Sequence, residues 1–303
     1  MSILWLIEGI RNPFLDFVFS WITKLGEETL AVIILCAIFW CIDKRLAYAI
    51  GVTYFISGLF VQGMKINFRI DRPWIIDPGF IPVASAVEHA TGYSFPSGHT
   101  QSAAALFGVL GFYLKKSWQR ISCFTVVFLV GFSRMYLGVH TLLDVGVSVV
   151  FSLIIAYFTV RLLTGEEKTS SGSGWVLPSA LLAAAAGVGA MAFLLYSAGN
   201  IDEGYVSDCV KAAFAGAGFA AGMYIERKYI NFSASGGTII MRIVRYLPGI
   251  AGVLAIKEGL KLVIGTGLAA DASRYFLLCF WITALFPLII SKWFKPKENK
   301  EVQ

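Results

Sequence analysis

Charge is scarce in this chain. Only 15% of its 303 residues are Asp, Glu, Lys or Arg, against about 25% in soluble globular domains. With 57% hydrophobic residues and a mean hydropathy of +0.72, that scarcity excludes an ordinary water-soluble domain and implies a polytopic membrane protein. The five thiols, Cys36, Cys41, Cys123, Cys209 and Cys279, sit in apolar stretches without the spacing of a disulfide framework or a metal site; they read as small core residues. Histidine is rarer still, with three in the chain. Glycosylation acceptors reduce to Asn231-Phe232-Ser233, which points to a bacterial plasma membrane. The net charge of +6 calls for no nucleic-acid partner, because loop topology and anionic lipid account for it.

Nine apolar stretches are long enough to span or nearly span a bilayer: 28–43, 46–64, 97–115, 119–137, 140–163, 175–198, 206–225, 246–265 and 272–292. The expected fold is therefore all-α, a transmembrane helical bundle of about nine spans. The first stretch is short, and the eighth carries Lys257, Glu258 and Lys261. Residues 1–28 alternate aromatics with charges and read as one or two amphipathic interfacial helices. Glu8 and Arg11 break any signal-peptide core there, so the first span is expected to act in targeting.

The expected organisation is a core over 29–164, a flexible linker over 165–174 (GEEKTSSGSG), further membrane helices over 175–292 and a basic cytoplasmic tail over 293–303. AAAAGVGA from Ala183 and AFAGAGFAAG from Ala213 supply small residues that let membrane helices approach closely. Fifteen of the 25 Lys and Arg collect on one set of loops, starting with Lys44 and Arg45 and ending with Lys300. The positive-inside rule makes that face cytoplasmic, with the amino terminus outside and the carboxyl terminus inside.

Three polar clusters interrupt the apolar background: Lys65 to Pro73 (KINFRIDRP), Pro96 to His99 (PSGH) and Ser133 to Asp144 (SRMYLGVHTLLD). They bring together the cations Lys65, Arg72 and Arg134, the small donors Ser97 and Gly98, and the imidazoles His99 and His140. If His140 opens a helix, Asp144 at i+4 shares its face and accepts the Nδ1 proton, leaving Nε2 free as a nucleophile. His99 then serves as general acid. A phosphomonoester carries about −1.5 to −2 charge at neutral pH, and three cations beside a helix opening near Pro96 and Ser97 suit such an anion. Clustered ionisable groups beside membrane spans are functional by default.

The spacings K-x6-RP, PSGH and SR-x5-H-x3-D together resemble the signature of the type 2 phosphatidic acid phosphatase (PAP2) superfamily, and all three motifs are complete. The resemblance implies that His140 attacks phosphorus to form a phosphohistidine, that Asp144 orients it, and that His99 protonates the leaving oxygen. It also implies that Lys65, Arg72, Arg134, Ser97 and Gly98 hold the phosphate oxygens, with no metal and no cofactor. The implied activity is hydrolysis of a lipid phosphate or polyprenyl diphosphate at the extracytoplasmic face, with membrane lipids as partners. The placement of the motifs after two spans is similar to that of glucose-6-phosphatases and sphingosine-phosphate phosphatases. That layout keeps a small sugar phosphate as an alternative substrate, and a non-catalytic lipid binder or transporter is the alternative outside enzymology. Oligomeric state is not legible. Residues 74–95, with Pro78, Gly79, Pro82 and Gly92, form an irregular substrate-facing cap rather than a span. Trp74 and Tyr93 are candidates for the site mouth, and His89 reads as an exposed loop histidine.

Overall fold

The computed structural model describes residues 1–88, 90–165, 174–235 and 238–293. His89, residues 166–173 of the expected linker and the tail after Trp293 lie outside them. The described residues are helical, without strands. The helices are α1 (Ser2–Glu8), α2 (Pro13–Ile22), α3 (Glu28–Cys41), α4 (Lys44–Phe68), the short α5 (Pro73–Ile76) and α6 (Ala84–Val87), α7 (Gly98–Tyr113), α8 (Ser117–Tyr136) and α9 (Leu142–Thr164). They continue with α10 (Val176–Ser197), α11 (Glu203–Ile225), α12 (Ile239–Leu254), α13 (Leu260–Ile264), α14 (Leu268–Phe280) and α15 (Phe286–Trp293). Each of the nine apolar stretches is helical. Five segments are long and apolar enough to cross a membrane: Lys44–Ile76, Leu142–Thr164, Val176–Ser197, Ile239–Ile264 and Leu268–Trp293. The count of nine spans is thus not established by length and apolarity, because α3 and α7 are too short and α8 and α11, though long enough, are not apolar enough.

The central element is α4. The Asp43 side chain accepts hydrogen bonds from the backbone N–H groups of Arg45 and Leu46 at 2.8 and 3.3 Å and so starts the helix. Arg69, at φ +50°, ends it. Along its length α4 packs against α3, α7 and α9 on one side and α10 and α11 on the other. Polar pairs pin the first set. Thr53 and Thr159 hydroxyls lie 2.6 Å apart between α4 and α9, and Gln101 Nε2 on α7 donates to Ser57 Oγ on α4 at 2.7 Å. Such bonds matter in lipid, where helices gain little from apolar burial alone.

The second half packs through its small residues. A Cβ at Gly218 would strike the Phe276 backbone, and one at Gly222 would strike the Thr283 side chain, so these glycines set the approach of α11 to the α14–α15 segment. Glu226, fully buried just past α11, joins the two halves. It accepts from Lys44 Nζ at 3.0 Å, from Phe232 N–H at 3.1 Å and from the Tyr48 hydroxyl.

The first 26 residues do more than lie at an interface. Leu4 and Ile7 are buried in one cluster with Phe80, Tyr136 and Leu137. Arg11 donates to the backbone carbonyls of Tyr136 (2.8 Å) and Ile81, and the Tyr136 hydroxyl donates to Asp16 at 2.8 Å. The segment thereby ties the cap to the end of α8. Its outer face, with Leu6, Phe14, Phe17 and Trp21 exposed, keeps the apolar side that suits a bilayer surface.

Glu226→Ala should lower stability by about 3 kcal/mol, the usual consequence of breaking a buried ion pair. Thermal unfolding in detergent reads this as a lower midpoint; an unchanged midpoint would show that Glu226 does not couple the halves.

Candidate active site

The site forms where helix ends meet: α4 and α8 run toward it and α7 and α9 begin at it. His140 does not open α9. The helix starts at Leu142 with Thr141 as its N-cap, and Asp144 is the third helical residue of a reciprocal capping box. Asp144 Oδ2 accepts from Thr141 N–H at 2.7 Å, while Thr141 Oγ1 accepts from Asp144 N–H at 3.3 Å. The same Oδ2 lies 3.5 Å from His140 Nδ1. The expected partnership is therefore present, with the histidine on the residue before the cap and the carboxylate fixed by the helix start.

The tautomer of His140 follows from its other neighbour. Arg72 Nη1 lies 3.0 Å from His140 Nε2, and a guanidinium can only donate. Nε2 must accept, so the ring proton sits on Nδ1, facing Asp144. Arg72 is buried and held by carbonyls: Nε donates to Gly92 at 3.0 Å, Nη1 to Val139 at 2.9 Å and Nη2 to Thr91 at 2.6 Å. Lys65 Nζ donates to the Tyr93 carbonyl at 2.8 Å. The irregular cap over residues 74–95 is thus the backbone cradle of both cations.

Arg134, also buried, donates from Nη1 to Thr23 Oγ1 at 2.8 Å, while its buried Nε has no hydrogen-bond partner. That orphaned donor suits an anion oxygen. Ser97 caps α7 by position but not by its side chain. Its N–H donates to the Asp144 carbonyl at 3.1 Å and its Oγ accepts from Thr100 at 2.9 Å. Without a side-chain cap, the opening N–H groups of α7 are available to an anion. Space for one exists at Gly98, where an added Cβ would meet no atom within 4 Å. His99 follows on the first turn, near enough to His140 to act on its charge.

The clusters therefore meet around His140. Trp74 instead packs into the cluster beneath the cap, and the Tyr93 ring stacks on Tyr205 of α11 with centroids 4.1 Å apart. Sequence reasoning missed Ser94, whose hydroxyl donates to Asp144 Oδ2 at 2.6 Å. It also missed Thr23, the partner of Arg134. No spacing marks either, whereas Thr141-x-x-Asp144 is a capping-box pattern that could have placed the start of α9.

Burial, together with Arg72, Arg134 and Lys65, holds the proton affinity of His140 well below that of an ordinary histidine. A neutral imidazole with an unprotonated Nε2 is the form a nucleophile needs. Below pH about 6.5 the unfolded chain binds a proton here that the folded protein refuses, so this group lowers stability as pH falls. Nitrogen NMR of histidine-labelled protein should find His140 neutral at pH about 6.5, where a free histidine is half protonated. Arg134→Gln should move its titration upward, and a wild-type signal titrating at the ordinary value would contradict the assignment.

Comparison with known proteins identifies the family. The PAP2 superfamily profile matches residues 44–168, and the profile of the PAP2 superfamily phosphatase transmembrane extension matches residues 210–297. Phosphatidylglycerophosphatase B of Bacillus subtilis (strain 168) is 31% identical over 156 residues, covering 45% of this chain and 69% of that protein. Undecaprenyl-diphosphatase BcrC of the same organism is 30% identical over 158 residues, 50% of this chain and 76% of that one. Dihydrosphingosine 1-phosphate phosphatase C823.11 of Schizosaccharomyces pombe is 28% identical over 184 residues, 55% of this chain but only 43% of that protein. Two family profiles that together take in the motif-bearing core and most of the later helices, and relatives that are membrane phosphatases, lead to one conclusion: the chain belongs to the PAP2 superfamily and carries its transmembrane extension.

Proposed function

We propose that the protein is a metal-independent membrane phosphatase that hydrolyses a lipid phosphate or polyprenyl diphosphate through a phosphohistidine on His140. The observation that carries this reading is the buried His140 with its proton on Nδ1 toward Asp144 and its Nε2 lone pair directed at Arg72. A substrate phosphate displaces the Arg72–Nε2 hydrogen bond and takes the place between Nε2 and the guanidinium. Its non-bridging oxygens take hydrogen bonds from Arg72, Lys65, the orphaned Nε of Arg134 and the opening N–H groups of α7, with Ser97 and Gly98 at that helix start. Charge that spreads over those oxygens in the transition state is met by donors already in place.

Nε2 attacks phosphorus in line as the P–O bond to the leaving group breaks, and protonated His99 gives its proton to the departing oxygen. The imidazole, now phosphorylated at Nε2, keeps its Nδ1 proton toward Asp144. In the second step neutral His99 takes a proton from water, the oxygen attacks phosphorus, and the P–N bond breaks to release inorganic phosphate and restore neutral His140. The site opens on the extracytoplasmic face of a bacterial plasma membrane in this reading. The loop charge asymmetry supports that side. An amphiphile fits a site built where membrane helices end, and relatives named for lipid phosphates and for a polyprenyl diphosphate point to the same chemical class.

Detergent-purified protein should release phosphate with EDTA present from phosphatidic acid, phosphatidylglycerophosphate or a polyprenyl diphosphate in preference to glucose 6-phosphate, and His140→Ala should abolish release. No release from any of them would favour a binding or transport role, and preference for glucose 6-phosphate would favour a sugar phosphatase. His99→Ala should slow a lipid monoester by about 100-fold or more, the usual contribution of a general acid. The deficit should shrink on p-nitrophenyl phosphate, whose leaving group needs no proton. An equal deficit on both would remove His99 from that role.

A further inference from the structure

Beside the phosphate site lies a cavity of about 190 Å³ between the catalytic core and the transmembrane extension. Its walls come from α3, α4 and the start of α7 on one side and from α11 and the α14 segment on the other. Its polarity is graded. Near the level of Gly98 it is lined by Glu28, Gln62, Asp208 and Lys211, with Lys211 Nζ 3.6 Å from Asp208 and 3.7 Å from Asp271. Farther along the helices the lining turns apolar, through Leu35, Phe55, Leu59, Phe219 and Ile282.

The residues give the depth. Glu28 and Leu35 are seven apart on α3, and Asp208 and Phe219 are eleven apart on α11, so the cavity runs about 10 to 16 Å along the helices at 1.5 Å per residue. The first residue of α7, Gly98, belongs both to this lining and to the phosphate-facing helix start. A polar mouth next to the phosphate site and an apolar floor one chain-length deeper have the shape of an amphiphile. The volume is below the roughly 300–1,000 Å³ of pockets that enclose drug-sized ligands, which suits one hydrocarbon chain rather than two.

From these observations we propose that the cavity between core and extension receives one hydrocarbon chain of the substrate while its phosphate lies against His140. The inference rests on the lipid phosphatase reading and adds a role for the extension: α11 and the α14 segment close the chain site and so set which chain lengths are accepted. The depth is finite, with Phe219 and Ile282 at the floor.

Two substitutions change this space in opposite directions. At Gly58, on the cavity wall, an added Cβ meets only the Gln101 amide at 3.8 Å, so Gly58→Leu starts a side chain in open space and narrows the cavity. Ile282→Ala lengthens it. The experiment measures kcat/KM of the full-length protein on monoacylglycerol phosphates of increasing chain length. Gly58→Leu should shift the ratio of long-chain to short-chain kcat/KM toward short chains by about ten-fold, the effect of displacing about two methylenes from the cavity. Ile282→Ala should move the optimum to longer chains. Profiles in both variants with the wild-type shape, at full or uniformly reduced rate, overturn the chain site and leave the phosphatase reading standing. Absence of phosphate release by wild type from every member of the series and from a polyprenyl diphosphate overturns the phosphatase reading itself.

Discussion

The hydrogen bond from Arg72 to His140 Nε2 is the contact on which the rest of the site depends. Because a guanidinium cannot accept, this one bond fixes the imidazole proton on Nδ1 and so gives the Asp144 carboxylate something to orient. Each partner is in turn held by a different part of the chain. Arg72 is gripped by cap carbonyls of Thr91 and Gly92, and Asp144 by the capping box that starts α9 and by Ser94. The cap is tied down by the amino-terminal segment through Arg11. Distant segments thus converge on one ring, and a shift in any of them would reach the tautomer.

Charge explains why so much structure is spent there. Arg72 and Arg134 are buried, and buried cations without partners are costly. Backbone carbonyls and the Thr23 hydroxyl satisfy part of their demand, and the buried Nε of Arg134 stays unmet. A phosphate bound there, as proposed, would offset that deficit. The same cations keep His140 neutral, so one electrostatic arrangement would both attract an anion and preserve the lone pair that the proposed mechanism uses. The later helices contribute at two depths: Glu226 locks them to α4 through Lys44 and Tyr48, and Tyr205 of α11 stacks on Tyr93 beside the carbonyl that holds Lys65.

Much of this was legible in the sequence for identifiable reasons. Composition alone required membrane helices, because so few charges cannot cover a soluble surface, and each apolar stretch is helical. Lys65, Arg72, Arg134, His99, His140 and Asp144 stood out because ionisable groups beside spans are conspicuous against an apolar background. The start of α9 was misplaced by two residues because helical spacing from His140 to Asp144 looks the same whether or not the histidine is inside the helix. Ser94 and Thr23 were invisible, since serine and threonine are common and their contacts join segments 50 and 111 residues apart. The clasping role of Arg11 was hidden for the same reason: an amphipathic pattern reports which face is apolar, not what covers it. The chamber between core and extension depends on the packing of α11 and α14 against α4, which no local pattern encodes.

In the proposed mechanism His140 carries the phosphoryl group between the two steps. Brief reaction with a phosphorus-labelled lipid phosphate or diphosphate, quenched under alkaline conditions where a phosphoramidate survives, and then mapped by mass spectrometry, tests it most directly. The account predicts label on His140 that is stable to alkali, lost in acid and absent from His140→Ala. Label on another residue, or turnover with no protein-bound phosphate at any quench time in a variant slowed at the water-attack step, would contradict it.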